Sequence, residues 1–429
     1  MRIKNFESLA TSELRKQCLR ILEAGLNAID TEKVTDNQFA YDAKKDILYV
    51  MGQEFLLSKY KNVVVVGAGK IAANAATVIE RKLGARLSGG LVIDIVPANF
   101  KILESRVGTH PLPSTANTQA TDEIVSMLEK LTEEDLVIAI IGGGGSSLLC
   151  GPKSVSLEEE RSIIQALMDA GSTIGEMNTV RKHLSKVKGG SLAKLAYPAT
   201  VIGLIFSDVP GNALSEVASG PTVLDNTTMN DAMAVLNKYK ILDRCKMNHC
   251  GLVETPKEAI YFTNVHNFLF CSSETALSAM ENKAADLGLK PKIWQSAFSG
   301  EASDIAKEIT SSIKSNECWL AGGESVVTIK PGTAKGSGGR NQELALVALT
   351  SLPPDTVFAT LASDGRDNSD VAGAIVDASS MQKAKALGID LKEALSRHDE
   401  YNIVLELNSA IMTGITGSNI SDLIVCIRN

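Results

Sequence analysis

Short runs of valine, isoleucine and leucine recur along this chain, and each run is followed by a longer segment with helical spacing. This alternation is typical of a parallel sheet with crossover helices, because the strands of such a sheet are buried on both faces. It predicts an α/β fold. The predicted strands are Asn62 to Val66, Leu91 to Val96, Leu136 to Ile141, Val201 to Phe206, Phe268 to Cys271, Glu317 to Leu320, Val326 to Ile329, Val357 to Leu361 and Leu423 to Ile427.

The chain is long enough for two domains. It has 429 residues, and a domain takes ~150 residues on average. The strand signal is weakest over residues 226–260, so we place the boundary there and predict domains over residues 1–240 and 255–429. Ahead of the first strand, residues 12–29 carry apolar side chains with helical spacing, and we expect this helix to pack on the sheet.

Composition excludes several classes of protein. Lys and Arg number 43 against 50 Asp and Glu, so the net charge is −7 and nucleic acid is not an expected partner. No apolar run approaches the ~20 residues that span a bilayer, and the N-terminus lacks the apolar part of a secretory signal, so we expect a cytoplasmic protein without a membrane partner. The seven cysteines are scattered, as reduced thiols are. The one local cluster, Cys245, His249 and Cys250, matches no usual zinc spacing.

The first glycine-rich segment follows the strand of four valines. Gly67 and Gly69 lie at the turn into a helix, and Lys70 adds a positive charge there, which favours an anion near the helix start. The segment also reads G-x-G-x-x-A, and Asp94 closes the next strand, where a dinucleotide-binding enzyme places the acid that holds a ribose. A plain strand-to-helix turn with Lys70 in solvent is the simpler alternative.

The second glycine-rich segment contains four consecutive glycines. Gly142, Gly143, Gly144 and Gly145 precede Ser146 and Ser147. So much glycine is typical of backbone that lies against a ligand or makes a tight crossing. The two hydroxyls suit phosphate or carboxylate oxygens, although a helix cap is the simpler role. The Walker A spacing is not satisfied.

A basic cluster stands out in this acidic chain. It contains Arg181, Lys182, His183, Lys186 and Lys188. Such a cluster suits a small anion, and a solvated basic helix face is the competing interpretation.

Two aspartates follow predicted buried strands, namely Asp208 and Asp364. An aspartate at the carboxyl end of a strand is a candidate ligand for Mg²⁺, or a candidate acceptor for a hydroxyl proton. A capping role for Asp208 and a turn role for Asp364 remain alternatives.

The last glycine-rich block consists of Gly322 to Ser325 and Gly336 to Glu343. Its second part is predicted to open a helix at Arg340. Because the positive end of a helix dipole does not stabilise arginine, we interpret Arg340 as a sign of a ligand anion nearby.

These motifs together resemble the class II glycerate 2-kinase family, and the carboxyl half resembles the MOFRL domain. The resemblance extends from about residue 60 to the end of the chain, and ten motifs in the same order make it specific. They are GAGK (67–70), THPLP (109–113), GGGSSLL (143–149), NTVRKHLSKVKGG (178–190), SDVPGN (207–212), ASGPT (218–222), GGES (322–325), GGRNQELAL (338–346), SDGRD (363–367) and TGITGSN (413–419).

The resemblance implies transfer of the γ-phosphoryl of ATP to the 2-hydroxyl of D-glycerate, with Mg²⁺. It implies a larger Rossmann-like N-terminal domain, a smaller α/β MOFRL domain and an active site in the cleft between them. The small-molecule partners would be D-glycerate and ATP. A homodimer is a candidate assembly for this chain.

The resemblance also implies roles for individual residues. The lysine of the first glycine segment and the arginine of GGRN are regarded as catalytic, which corresponds to Lys70 and Arg340 here. Asp208 and Asp364 would hold Mg²⁺ or orient the hydroxyl. Two positions depart from the usual family pattern: Asn212 replaces a common aspartate, and Asn368 replaces a common glycine. Substrate or phosphate binding is expected of Gly67, Gly69, Gly143, Gly144, Gly145, Ser146, Ser147, Arg181, Lys188, Glu324 and Asn341.

Two other functions stay open at this stage. An NAD(P)-dependent hydroxypyruvate reductase would use Gly67, Gly69, Ala72 and Asp94, but it leaves the other glycine segments without a task. A nucleotide-binding regulatory module without catalysis is a third hypothesis.

His110 is interpreted as a turn histidine whose ring bonds to nearby backbone.

Overall fold

The structure is a computed structural model that describes residues 1–329 and 336–429. The chain divides into two compact units. We call Thr31–Ser207 with Asn212–Phe270 the parallel-sheet unit, and Met1–Asp30, Asp208–Gly211 and Cys271–Asn429 the mixed-sheet unit. The main change between units thus lies at residue 270, later than the predicted boundary.

The elements are numbered in chain order. The strands are β1 Phe39–Asp42, β2 Ile47–Val50, β3 Gln53–Leu56, β4 Asn62–Ala68, β5 Gly89–Asp94, β6 Glu104–Val107, β7 Asp135–Gly142, β8 Thr200–Phe206, β9 Val265–Cys271, β10 Pro291–Glu301, β11 Glu317–Val326, β12 Thr356–Ala362, β13 Gly373–Val376, β14 Ala410–Ile411 and β15 Asp422–Arg428. The helices are α1 Phe6–Leu9, α2 Glu13–Ala28, α3 Thr31–Gln38, α4 Ala72–Leu83, α5 Thr115–Leu128, α6 Gly145–Leu148, α7 Leu157–Asp169, α8 Ile174–Leu184, α9 Ser191–Ala196, α10 Met229–Lys238, α11 Ile241–Cys245, α12 Ser273–Asp286, α13 Ala302–Ser312, α14 Arg340–Ser351, α15 Ala378–Ala386, α16 Leu391–Ser396 and α17 Glu400–Glu406.

The parallel-sheet unit is built on a six-stranded sheet in the order β6-β5-β4-β7-β8-β9. β4 pairs in parallel with both β5 and β7, and Ala68 lies opposite Ile141. Every residue of β7 is buried, as the apolar run predicts. The α/β class is confirmed, and the ends of β4 and β7 bring the first two glycine segments to one edge of this sheet. A separate antiparallel sheet of β1, β2 and β3 was not predicted.

The mixed-sheet unit also has a six-stranded sheet, in the order β10-β11-β15-β12-β13-β14. β10 and β11 are parallel, whereas β15 runs antiparallel to both of its neighbours, β11 and β12. Asp422, the first residue of β15, therefore pairs with Gly323 near the end of β11 and with Ala362 at the end of β12. The second sheet is thus largely antiparallel, unlike the parallel arrangement read from the sequence.

The GGES motif lies inside a strand, although we expected a loop after Leu320. β11 continues through Gly322 to Val326, and the separate strand predicted over 326–329 does not form. Gly323 has a φ of 157°, a value that residues with a side chain rarely adopt, and a Cβ there would overlap the backbone of Phe298 in β10. Glycine is required here for close strand contact.

The predicted N-terminal helix is confirmed as α2, and it packs in the mixed-sheet unit. Ser12 caps it by accepting a hydrogen bond from the Arg15 amide at 3.2 Å. Its apolar face contacts β12, β15 and α12, and the Cys18 thiol lies 3.9 Å from the Val425 carbonyl oxygen. Residues 1–30 join residues 271–429 because that face is buried there.

Candidate active site

Lys70 lies where the first two glycine segments meet. Its amide donates a hydrogen bond to the Gly143 carbonyl at 2.9 Å. Gly69 has a φ of 143°, and a Cβ there would come within 2.9 Å of the Gly142 carbonyl carbon. Both its backbone angle and its surroundings require glycine. The backbones of the two segments are therefore in direct contact. Gly67 is still part of β4.

The Lys70 side chain lies against Gly144. A Cβ at position 144 would be 3.2 Å from Lys70 Cγ and 3.2 Å from His110 Cδ2. Gly144 has a φ of 78° and precedes α6, the short helix that contains Ser146 and Ser147. Lys70, Gly144 and His110 are therefore neighbours. This position would allow the Lys70 side chain to contact a ligand bound at the second glycine segment.

Asp94 stabilises the start of α4. One carboxylate oxygen accepts from the Ala73 amide at 3.0 Å, and the other accepts from the Ile95 amide at 2.6 Å. The residue is 1% exposed, and burial raises its pKa to about 6. An acid that is buried and bonded to backbone in this way is not positioned to hold a ribose.

The pH dependence of stability tests this structural role. Because burial raises the Asp94 pKa in the folded state, its contribution to stability is present below pH 3.8 and is lost as the pH rises to about 6. Relative to Asp94→Asn, the free energy of unfolding of the wild type should fall by ~3 kcal/mol over this window. Urea unfolding at a series of pH values measures the difference. Parallel profiles for the two proteins would contradict the assignment.

A polar network joins the second glycine segment to the NTVRKHLSKVKGG motif and to the ASGPT motif. Ser146 Oγ lies 3.0 Å from Ser219 Oγ, which donates to Asn178 Oδ1 at 3.2 Å. Asn178 also accepts from Arg181 at 3.4 Å, and its amide donates to Glu216 at 2.6 Å. Three motifs that are distant in sequence thus meet beside α6.

Arg181 is the member of the basic cluster that suits an anion. It is half-buried, and burial lowers its pKa below the usual value. Within residues 1–329 and 336–429, no carboxylate lies within 4.0 Å of its guanidinium. A desolvated cation without a carboxylate partner is typical of an anion-binding position.

The other basic residues of the cluster have protein partners. Lys182 is paired with Glu216 at 2.9 Å and Asp225 at 3.5 Å, and Lys186 is paired with Asp122. Lys188 is 0% exposed, and its ammonium donates to the Leu149 carbonyl at 3.0 Å. The expected ligand-binding role does not fit Lys188, because its amine supports the backbone that follows α6.

Ser147 differs from Ser146 in its partner. Its hydroxyl donates to the Pro111 carbonyl at 2.6 Å, and its own carbonyl accepts from Asn117 at 2.9 Å. Ser147 therefore fixes the THPLP segment, which carries His110, beside the second glycine segment.

In the mixed-sheet unit, Arg340 begins α14 as predicted, and carboxylates hold it from two sides. Its Nε donates to Asp422 at 2.7 Å and its Nη2 donates to the other oxygen at 3.0 Å, while Nη1 pairs with Glu324. Burial alone lowers the pKa of Arg340, but the charges of Asp422 and Glu324 raise it above its usual value. The charge that we attributed to a ligand anion is already balanced by these two residues.

Asp422 was missed by the sequence analysis. It is 1% exposed, and burial raises its pKa although Arg340 acts in the opposite direction. It comes first in its strand, whereas the aspartates that the sequence pattern singles out follow the ends of strands. Because β15 is antiparallel, its start lies beside the ends of β11 and β12. The sequence does show an aspartate directly before an apolar run. That pattern indicates a site residue only if the strand is known to run antiparallel to its neighbours.

Asn341 is also structural rather than exposed to a ligand. It is 0% exposed and lies between Thr360, which donates to it at 2.5 Å, and Asp367 at 3.4 Å. Asp367 accepts from the Gln342 amide at 2.9 Å, so it stabilises the first turn of α14 beside Arg340. The expected substrate contact of Asn341 is therefore not supported, and its role is to fix the start of α14.

Asp208 and Asp364 lie near the start of β15. The Asp208 carboxylate accepts from the side-chain amide of Asn419 at 3.1 Å, and the Asp208 carbonyl accepts from the Ser421 hydroxyl at 2.8 Å. Ser421 also accepts from the amide of Ser363, the residue before Asp364, at 3.1 Å. Both aspartates are half-buried. Carboxylate oxygens are ligands of the kind that Mg²⁺ takes.

Comparison with known proteins decides the family. A model described as a domain of unknown function, DUF4147, matches residues 17–251, and the MOFRL family model matches residues 317–422. A D-glycerate 2-kinase of Thermotoga maritima is 35% identical over 85% of this chain and 90% of its own length. The chain belongs to the MOFRL-type glycerate kinase family. A crystal structure of glycerate kinase from Thermotoga maritima covers 97% of this chain and 100% of that chain, with a TM-score of 0.79 at 30% identity.

One relative of this glycerate kinase family member carries a different name. A protein of Agrobacterium vitis, provisionally named hydroxypyruvate reductase, is 38% identical over 84% of this chain and 86% of its own length. Relatives of this chain are therefore named either as kinases or as reductases. An assay of the reaction is needed to decide between the two activities.

The two departures from the usual glycerate kinase motifs share a backbone conformation. Asn212 has a φ of 54° and Asn368 a φ of 55°, both left-handed. Asparagine tolerates this conformation better than most residues, and glycine adopts it freely. Backbone geometry thus accounts for asparagine at both positions.

Among the helices of the described residues, none is both long and apolar enough to cross a bilayer.

Proposed function

We propose that this chain is a D-glycerate 2-kinase that transfers the γ-phosphoryl of ATP to the 2-hydroxyl of D-glycerate. The observation that carries the proposal is the position of Lys70, whose amide bonds to Gly143 and whose side chain lies against Gly144. Phosphoryl transfer requires positioned cations and backbone donors rather than a covalent partner. The names of the kinase relatives support the same reaction.

Lys70 and Arg340 would neutralise the charge that develops on the transferred phosphoryl. The two cations are held in different ways. The Lys70 ammonium is carried on a long side chain whose backbone is fixed by the two glycine segments. The planar guanidinium of Arg340 is oriented by two hydrogen bonds to Asp422. Glu324 is the exchangeable partner of Arg340, since its side chain is 46% exposed and that of Asp422 is 1% exposed. A phosphate oxygen would take the place of Glu324.

Asp208 and Asp364 would hold Mg²⁺ in this proposal. The ion would neutralise negative charge on the nucleotide phosphates. Arg181 would bind the glycerate carboxylate or a nucleotide phosphate, with Asn178 and Ser219 fixing its orientation. Ser146 completes this polar group through its contact with Ser219.

A hydroxypyruvate reductase is the second candidate, because of the relative from Agrobacterium vitis and the G-x-G-x-x-A pattern. Asp94 argues against it, since both of its carboxylate oxygens accept from backbone amides at the start of α4 and after β5. The reductase would need that acid for the ribose.

Two parallel assays separate the functions. The purified protein with D-glycerate and Mg·ATP should release ADP and form 2-phosphoglycerate, and with hydroxypyruvate and NADH it should leave NADH unchanged. L-Glycerate serves as the matched control substrate. NADH oxidation without ADP release would replace the kinase by the reductase. ATP binding without glycerate-dependent turnover would instead favour a nucleotide-binding regulatory module.

A further inference from the structure

A cluster of three ionisable side chains lies one helical turn beyond Arg340. Glu343 is in α14, His398 precedes α17, and Glu400 is the first residue of α17. One ligand atom from each lies within 4.8 Å of the others. His398 Nδ1 is 2.8 Å from Glu343 Oε2. The three side chains converge on one point within the mixed-sheet unit.

Glu400 is the unusual member of this cluster. It is 1% exposed, and its Oε1 has no hydrogen-bond partner among the described residues. A buried carboxylate oxygen without a partner is costly. Glu400 thus presents to the cluster a desolvated oxygen that has no hydrogen-bond partner among the described residues.

The surroundings of Glu400 are acidic. Asp367 and Asp399 add further negative charge near Glu400. Over the described ranges, no Lys or Arg lies within 4.0 Å of its carboxylate, and His398 pairs with Glu343 instead. A metal ion held by the three side chains would therefore meet no competing Lys or Arg among the described residues.

We propose that Glu343, His398 and Glu400 bind a divalent transition-metal ion with the preferences of Zn²⁺. The donor set determines the class of ion, because an imidazole nitrogen with two carboxylates suits Zn²⁺, whereas Mg²⁺ and Ca²⁺ prefer oxygen ligands alone. Zinc–ligand bonds of ~2.0–2.2 Å place neighbouring ligand atoms ~3.5 Å apart in a tetrahedral site. Small side-chain movements reach this spacing, and the ion replaces the hydrogen bond between His398 and Glu343.

The bound ion fixes the glycine segment that leads into Arg340. The Gly336 amide donates to the Arg397 carbonyl at 3.0 Å, and the Tyr401 amide donates to the Ser337 carbonyl at 2.8 Å. A Cβ at position 338 would overlap the Glu400 carboxylate. Ligands from α14 and from residues 398–400 hold both sides of this segment. The site is a structural one, distinct from the Mg²⁺ position proposed at Asp208 and Asp364.

Zinc binding to the full chain tests the proposal directly. The protein is stripped with a chelator, and Zn²⁺ is titrated in competition with a chromophoric indicator while thermal unfolding is followed in parallel. We expect one equivalent of zinc and a higher Tm. Glu400→Gln, which keeps the shape of the side chain, and His398→Ala should each weaken binding at least tenfold. Circular dichroism checks that both variants fold.

Two control variants locate the site. His249→Ala removes an exposed histidine 3.9 Å from Glu159 and should bind zinc as the wild type does. The double variant Asp208→Asn/Asp364→Asn should also keep zinc binding. The proposal is overturned if no stoichiometric zinc binds, if Glu400→Gln binds as tightly as the wild type, or if binding is lost with Asp208 and Asp364 instead. None of these readouts depends on kinase activity.

Discussion

Replacing Lys70 by alanine should lower kcat for glycerate phosphorylation by ~10²–10³, the usual cost of removing a donor that stabilises developing negative charge. The fold should be unaffected, because the backbone contact of residue 70 with Gly143 does not involve the side chain. Steady-state kinetics with saturating ATP and D-glycerate measure the effect. The KM values should change less than kcat, since the interaction strengthens in the transition state.

Lys44→Ala is the matched control for this experiment, because it removes an exposed lysine in the turn between β1 and β2. It should leave kcat at the wild-type value. Lys70→Arg should recover part of the lost rate, since it restores a cation with a different shape. A kcat for Lys70→Ala close to that of the wild type would remove Lys70 from the proposed catalytic residues.

Replacing Arg340 by alanine should also reduce kcat by ~10²–10³. In addition, the protein should lose ~2 kcal/mol of stability, since the variant leaves Asp422 as a buried carboxylate without its partner. This figure is below the usual cost of breaking a buried pair because the Arg340 side chain is 32% exposed. Urea unfolding and steady-state kinetics measure the two effects separately.

The double variant Arg340→Ala/Asp422→Asn separates these two roles. It removes the unpaired charge, so stability should return toward the wild-type value while turnover stays low. If turnover returns together with stability, Arg340 acts only by supporting the fold. If the single variant keeps full turnover, the assignment to phosphoryl transfer is wrong.

Strands and glycine segments of the parallel-sheet unit could be predicted because their signals are local. An apolar run that ends in glycine predicts both the strand and the place where it ends, as for β4 and β7. Parallel pairing then brings Gly69 and Gly143 to one edge. The contact of the Lys70 amide with Gly143 follows from this arrangement.

The mixed-sheet unit was harder to predict because strand direction leaves little trace in a single sequence. The pairing of Arg340 with Asp422 depends on β15 running antiparallel to its neighbours. Without that knowledge, Arg340 was interpreted as evidence of a ligand. The burial of Lys188 and Asn341 was likewise hidden, since a polar residue in a motif looks the same in sequence whether it binds a ligand or supports backbone.

The packing of α2 against β15 has a consequence for the order of synthesis. The Cys18 thiol contacts a carbonyl oxygen 407 residues later in the chain. On the ribosome, the apolar face of α2 therefore emerges 407 residues ahead of its partner strand. The mixed-sheet unit completes its core only after β15 has emerged, and until then the nascent chain has an uncovered apolar helix for which a chaperone would compete.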